Sequence, residues 1–269
     1  MISFVGAGPG AADLLTLRAA ERLAEADVVI WAGSLVAPEV LTLCREEVVL
    51  HDSKDMTLEE VCEVFAAHPD ARIVRLHSGD PTVFSAIGEQ IAWCVEHGRE
   101  FEIVPGVSSF TAAAAAVCCE LTLPGVAQSV VLTRLASNTA AGVPARETIR
   151  AFAATGATLA VFLSVSLVER LAAELLAEGS GFGPDTPVVV AYQVSRPGER
   201  VVRTTIADLA HTVRTEGLRA ATLFLVGPAL AGATDSGRGM RSHVYAPDHA
   251  TRFRPVRSPS TSPPPRGAR

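Results

Sequence analysis

The chain has 269 residues, 48% of them hydrophobic, and a mean hydropathy of +0.30, enough apolar material for two modest lobes or one large domain. Its net charge of −6 is uneven: from Ser236 onward seven arginines stand against one aspartate, which leaves −12 on the remainder. An acidic body lacks the basic footprint that a nucleic-acid partner needs, and it suits an anionic substrate only where arginines converge locally.

The N-terminus has no basic start of the secretory kind; Ile2–Val5 reads directly as a buried strand running into the glycine loop Gly6–Gly10. Leu14, Leu17 and Leu23 then share one face of a helix from Leu14 to Ala26. Asp27–Trp31 is a second strand, a short helix follows near Pro38–Leu43, and Val48–Leu50 is a third strand. Thr57-Leu-Glu-Glu60 has the form of a capping box and opens a helix to Ala67. Arg72–Leu76 is a strand, His77–Thr82 a loop, Val83–His97 a helix, and Phe101–Val104 a strand stopped by Pro105-Gly106. Val107–Leu123 is the most membrane-like stretch. It carries Ser108, Ser109, Thr111 and Glu120 between Pro105 and Pro124, so a buried Ala-rich helix explains it better than a spanning one. A soluble, cytoplasmic protein without a membrane partner is expected.

Residues 118–127, with Pro124-Gly125, read as a linker between an N-terminal lobe (1–117) and a C-terminal lobe (128–235). The second lobe begins with strands at Ser129–Thr133 and Thr158–Leu163. Ser166-Leu-Val-Glu169 has the form of another capping box, with a helix to Glu178. Pro187–Tyr192, Arg200–Thr204 and Ala221–Val226 are strands, and 206–216 is helical. Strands and helices alternating at this spacing make both lobes α/β. Residues 236–269, rich in Gly, Ser, Pro and Arg, read as a disordered tail. The five cysteines form no C-x-x-C pair and read as reduced, mostly buried thiols.

Four segments carry chemistry. Gly6-Ala-Gly-Pro-Gly-Ala11 fits the dinucleotide pattern G-x-G-x-x-[GA], but the second strand ends in Trp31-Ala-Gly-Ser34 without the carboxylate that would hold a ribose. The glycines serve either a tight strand–helix turn or close approach to another ligand. His77-Ser-Gly-Asp-Pro81 sits at a strand's carboxyl end, where open α/β sheets bind ligands; Asp80 accepts from a ligand or caps the next helix. Pro105-Gly-Val-Ser-Ser109 sets hydroxyls and helix N–H groups on a ledge, with N-capping as the plainer role. Thr133-Arg134 ends a strand, and its arginine is either a carboxylate clamp or a solvated side chain. Seven histidines lie without ligand spacing, and neither H-E-x-x-H nor G-x-S-x-G occurs, so the sequence names no metal site and no triad.

Taken in order, Val5-Gly-Ala-Gly-Pro-Gly10, His77-Ser-Gly-Asp-Pro81, Val104-Pro-Gly-Val-Ser-Ser109, Thr158–Ser164 and Ala221-Thr-Leu-Phe-Leu-Val-Gly-Pro228 resemble the tetrapyrrole (corrin/porphyrin) methylase family. The resemblance covers residues 1–231. Trp31-Ala-Gly-Ser-Leu-Val36, Ser78–Phe84, Ala86–Gln90 and Ala191-Tyr-Gln-Val-Ser195 resemble those members that methylate C11 of a ring-contracted precorrin in cobalamin synthesis. The resemblance implies a two-lobed fold, a homodimer, and S-adenosylmethionine (SAM) held between the lobes. The implied SAM contacts are Gly79, Asp80, Val83, Ser108, Ser109, Leu163, Tyr192, Ala221 and Thr222. The implied tetrapyrrole trough is Gly8, Pro9, Gly10, Ser34, Thr133 and Arg134. The chain departs from the family where Ala11 and Ala12 follow the glycine loop, at Ser137–Ala140, and at Arg196, where a tryptophan is usual.

Methyl transfer from a sulfonium needs an in-line nucleophile, which an electron-rich tetrapyrrole carbon supplies, so the protein contributes positioning and a dry cleft. No catalytic acid or base is assigned; Asp80 is a candidate acceptor for the proton released. The competing readings are a cobalt-precorrin-4 or another precorrin or uroporphyrinogen methyltransferase of the same family, a related member that methylates rRNA ribose or a protein, of which the acidic body disfavours the RNA, and a non-catalytic nucleotide- or tetrapyrrole-binding module.

Overall fold

A computed structural model describes residues 1–135 and 143–231, with residues 242, 246, 249–250 and 252–255 beyond them. The expected tail 236–269 therefore lies mostly outside the described residues, and the departure at 137–140 lies wholly outside them.

The first sheet contains β1 (Ile2–Gly6), β2 (Val28–Trp31), β3 (Val49–Asp52), β4 (Ile73–His77) and β5 (Phe101–Val104), in the order β3-β2-β4-β1-β5 and parallel throughout. β1 is buried along its whole length, as an apolar run covered on both faces must be. Its residues alternate between two cores. Val5 joins Val29, Val74 and Leu76 against Leu23 of α1 (Leu17–Glu25). Phe4 joins Ile30 and Ile73 against Phe65 of α2 (Leu58–Ala67) and Cys94 of α3 (Ile87–Glu96). The chain thus leaves β1 over one face and β4 over the other. These two strands are neighbours, so a crevice opens at their carboxyl ends.

The Thr57 capping box forms: the Glu60 N–H donates to Thr57 Oγ1 at 3.3 Å, and the Thr57 N–H donates to Glu60 Oε2 at 2.6 Å. The second expected box does not. α6 (Val168–Leu175) begins after a short 3-10 turn, with Leu167 at the N-cap, and Glu169 instead pairs with Arg214 at 2.6 Å. Burial of Val168, Leu171 and Leu175 decides where this helix starts. The helix expected from Val83 begins at Ile87, because Phe84 and Ala86 adopt positive φ (54° and 50°).

The second sheet contains β6 (Val130–Arg134), β7 (Thr158–Phe162), β8 (Pro187–Tyr192), β9 (Arg200–Thr205) and β10 (Thr222–Val226), in the order β6-β7-β10-β8-β9. Only β6 and β7 pair in parallel; the other three pairings are antiparallel. One face packs Phe224 and Val226 against α5 (Ile149–Ala153), α6 and α7 (Leu209–Thr215). The other face receives α4 (Ser109–Ala116), whose Ala113 and Ala114 lie against Ala160, Val189, Ala191 and Leu225. α4 follows β5 in the chain yet packs on the second sheet, and alanine lets it come close. It carries the 104–109 loop to the junction of the two sheets.

Of the five cysteines, Cys94 alone is buried and Cys118 is exposed, so most are less buried than expected. No helix among the described residues is long and apolar enough to cross a membrane.

Candidate functional site

Three loops at the carboxyl ends of β1, β4 and β5 are joined by their own backbone. Gly8 and Gly79 form a two-bond bridge (Gly8 N–H to Gly79 O, 3.2 Å; Gly79 N–H to Gly8 O, 2.7 Å), and the Ala7 N–H donates to His77 O at 2.7 Å. Gly6 and Gly106 sit back to back: a Cβ on Gly6 would lie 2.6 Å from Gly106 Cα, and one on Gly106 would strike the Gly79 carbonyl. Both glycines that mimic a dinucleotide fingerprint, Gly6 and Gly8, are therefore spent on loop-against-loop packing. Gly10 of the same loop lies beneath Arg196 of the second lobe.

Asp80 completes this knot. Its carboxylate accepts from the Gly106 N–H at 2.9 Å, from the Thr82 N–H at 2.7 Å and from the Thr82 hydroxyl at 2.5 Å. Burial opposes its ionisation, but the hydrogen bonds from Thr82 and Gly106 outweigh that and hold the carboxyl below its usual range. A carboxylate so occupied neither caps the following helix nor serves well as a proton acceptor.

Facing this knot are the ends of β7 and β8 and the start of β10. Leu163 (φ 50°), Gln193 (φ 47°) and Ala221 (φ 62°) all hold positive φ there, and the Gln193 N–H donates to Ala221 O at 3.0 Å. Non-glycine residues rarely take this conformation, and such strain gathers where a site demands a particular backbone path.

Between the lobes lies a cavity of about 370 Å³. Of the residues named above for SAM, Gly79, Asp80 and Val83 line it from the first lobe, Ser108 and Ser109 from the head of α4, and Leu163, Ala221 and Thr222 from the second lobe. Ser108 occupies the N-cap position, but its side chain makes no capping bond, so the plainer role foreseen for it is not taken up.

Tyr192 is not among the lining residues. Neighbours along a strand face opposite ways, so Ala191 and Gln193 line the cavity while the Tyr192 ring joins the core under α5–α7, with Arg200 5.0 Å above it. Of the expected trough residues, Pro9 alone lines the cavity. Gly8 is held in its bridge, Gly10 is covered by Arg196, and Ser34 is exposed beside the lining residue Leu35. Thr133 and Arg134 end the edge strand β6 outside the lining, although Arg134 is in register with Phe162, which lines it.

Residues not foreseen as contacts also line the cavity. Phe84 and Phe162 meet across the lobes with ring centroids 5.2 Å apart. Leu163 and Phe84 are 61% and 47% exposed, unusually much for large apolar side chains, which suits a site completed by a ligand. Arg196 is the one basic residue among the described residues of the lining. Phe84 and Arg196 were both visible in the sequence, the first inside a quoted motif and the second as a departure from the family, but neither spacing nor periodicity gave them a direction.

Behind the site, β4 carries two titratable side chains, the half-buried Arg75 and the buried His77. Burial lowers Arg75 to about 10, and its guanidinium donates to Gln90 Oε1 at 3.2 Å and to Ile30 O at 3.3 Å. Burial, with Arg75 nearby, pushes His77 down to about 3, and its Nε2 has no hydrogen-bond partner. His77 is therefore a neutral packing group at neutral pH.

Fold and site together define a two-lobed α/β protein with a cavity where a parallel sheet's carboxyl ends meet a mixed sheet. The chain belongs to the tetrapyrrole (corrin/porphyrin) methylases, whose family model matches residues 1–210. It is 41% identical over 255 residues to a precorrin-4 C(11)-methyltransferase from Sinorhizobium sp., covering 94% of this chain and 98% of that one. Among solved structures it resembles a cobalt precorrin-4 methyltransferase of cobalamin biosynthesis (TM-score 0.81, 38% identity, 85% of this chain and 95% of that one). It also resembles a uroporphyrin-III C-methyl transferase from Thermus thermophilus complexed with S-adenyl homocysteine (TM-score 0.68, 31% identity, 86% and 98% covered).

Proposed function

We propose that this chain transfers the methyl group of SAM to C11 of precorrin-4, in the cytoplasm and as a homodimer. The observation that carries the reading is the composition of the cleft: eight of the nine residues expected to hold SAM converge on one cavity between the lobes.

The residues fit that ligand. The Ser108 side chain, free of capping duty, and the first N–H groups of α4 offer donors on one wall. Leu163 and Phe162 from the second lobe, with Phe84 meeting them from the first, offer apolar surface for an adenosyl group. When bound, SAM supplies an electrophilic methyl on a sulfonium. The protein's part is to hold the acceptor carbon in line with it, which the rigid knot of Gly6, Gly79, Asp80 and Gly106 supports from below.

Incubation with methyl-labelled SAM and precorrin-4, offered metal-free and with cobalt because relatives of both kinds match, tests the reading. Carbon-13 NMR of the product should show the new methyl at C11. A methyl at C17, or turnover with uroporphyrinogen III alone, would overturn the regiochemistry. Light scattering of the purified protein should give twice the monomer mass, and a monomer would refute the dimer.

A further inference from the structure

We propose that Arg196 binds a carboxylate of the tetrapyrrole substrate at the mouth of the cleft, on the side lined by Pro9 and Leu35. The inference rests on the tetrapyrrole reading above and names the group that anchors that substrate.

An anionic substrate approaching a body of net charge −12 needs a local cation. Among the described residues that line the cleft there is one, Arg196; the sole carboxylate among them, Asp80, is already taken up by Thr82 and Gly106. Arg196 is half-buried, and burial lowers its pKa from the ordinary guanidinium value. It makes no ion pair among the described residues. Glu39 offsets its charge only from beyond ion-pair distance, so burial still outweighs that help, and a ligand carboxylate in direct contact would stabilise the guanidinium further.

Its setting fixes where that ligand group would lie. One guanidinium nitrogen donates to the Leu35 carbonyl of the first lobe, which holds the side chain across the gap. Its stem lies over Gly10, and any side chain at Gly10 would collide with it. Beside it, the Ser195 hydroxyl accepts from the Ala11 N–H at 3.0 Å, a second bond between lobes. With one nitrogen tethered, the remaining edge of the planar fork is pre-oriented, so little rotamer freedom is lost on binding a carboxylate. Ser108, Ala221 and Thr222 form the part of the lining where SAM contacts were expected. Arg196 instead touches Gly10 and Leu35 and shares the lining with Pro9, and Pro9 and Gly10 belong to the part where the macrocycle was expected.

The test uses uroporphyrin, a stable fluorescent polycarboxylate, titrated against the full-length wild type and the variants Arg196→Gln, Arg196→Lys and Arg134→Gln, with S-adenosylhomocysteine calorimetry in parallel. Arg196→Gln should weaken porphyrin binding by about 10–100-fold, the scale of one charge-assisted hydrogen bond, while S-adenosylhomocysteine affinity stays within about twofold. Arg196→Lys should recover part of the loss by keeping the charge without the fork, and its binding serves as the readout if the Gln variant does not fold. Unchanged porphyrin binding overturns the proposal. An equal loss for both ligands does so too, because the guanidinium would then serve the SAM carboxylate or merely latch the lobes. A greater loss in Arg134→Gln would move the anchor to β6. Arg196-dependent porphyrin binding without turnover of precorrin-4 would refute the function proposed above while sustaining this assignment; a wild type that turns over precorrin-4 but binds no porphyrin refutes this assignment alone.

Discussion

The carboxylate of Asp80 accepts a hydrogen bond from the backbone N–H of Gly106, 26 positions away, at 2.9 Å. That bond ties the loop after β4 to the loop after β5, and through Gly79 and Gly8 to the loop after β1. The floor of the cleft is thus one hydrogen-bonded unit, and its cohesion is open to measurement.

Replacing Asp80 with alanine removes the acceptor for all three of these bonds. Hydrogen bonds to charged groups contribute about 1.5–3 kcal/mol each, although shared geometry and partial exposure keep the sum well below the total of three. The expectation is a loss of about 1.5–3 kcal/mol in urea unfolding, together with weaker S-adenosylhomocysteine binding. Unchanged stability would mean that the knot holds without its carboxylate.

Gly106→Ala tests the same knot by crowding. The added methyl meets Gly6 Cα at 2.8 Å and the Gly79 carbonyl closer still, and all are backbone atoms that cannot rotate away. Overpacking of this kind costs about 1–3 kcal/mol or more, so the variant should melt several degrees below the wild type and bind ligand poorly. Ordinary melting with full binding would show the loops to be looser than their geometry implies.

His77 makes stability depend on pH. Its ordinary value is 6.5, and burial brings it to about 3 in the folded chain. Between these values the unfolded chain binds a proton that the folded chain does not, so stability falls as pH drops from about 6.5 toward about 3. The slope approaches about 1.4 kcal/mol per pH unit for one proton. His77→Leu should flatten that slope in urea titrations between pH 4 and 7, whatever it does to stability at pH 8. A slope identical to wild type would contradict a buried neutral imidazole.

Asp27 acts lower on the scale. The Arg72 backbone N–H at 2.7 Å, with the Arg72 and Arg45 side chains, brings it from 3.8 to about 2. Its contribution is present above about pH 4 and is lost as pH falls through about 2. Asp27→Asn should therefore be most destabilising near neutral pH and converge on the wild type below pH 2 in acid unfolding followed by circular dichroism. A destabilisation that persists unchanged at low pH would point to packing rather than charge.

The strands and most helices were legible from periodicity, because an apolar run covered on both faces and a 3.6-residue stripe are local signals. β8 begins and ends where the sequence placed it, and the Thr57 box formed as written. The box at Ser166 did not form, since tertiary burial of Val168 and Leu171 outranked a local cap.

The cleft was legible by composition but not by direction. Gly79, Ser108 and Ala221 could be singled out as special positions, yet only the fold shows that Gly6 and Gly8 face another loop instead of a phosphate. Tyr192 and Gln193 are adjacent in sequence, and strand pleat alone decides that the second lines the cavity and the first does not. Arg196 lies far along the chain from Leu35, and no periodicity couples them; the docking of α4 on the second sheet, which joins the lobes, does. Local patterns determine elements because their physics spans a few residues. Which residues face one cavity depends on long-range packing, and that the tertiary structure alone decides.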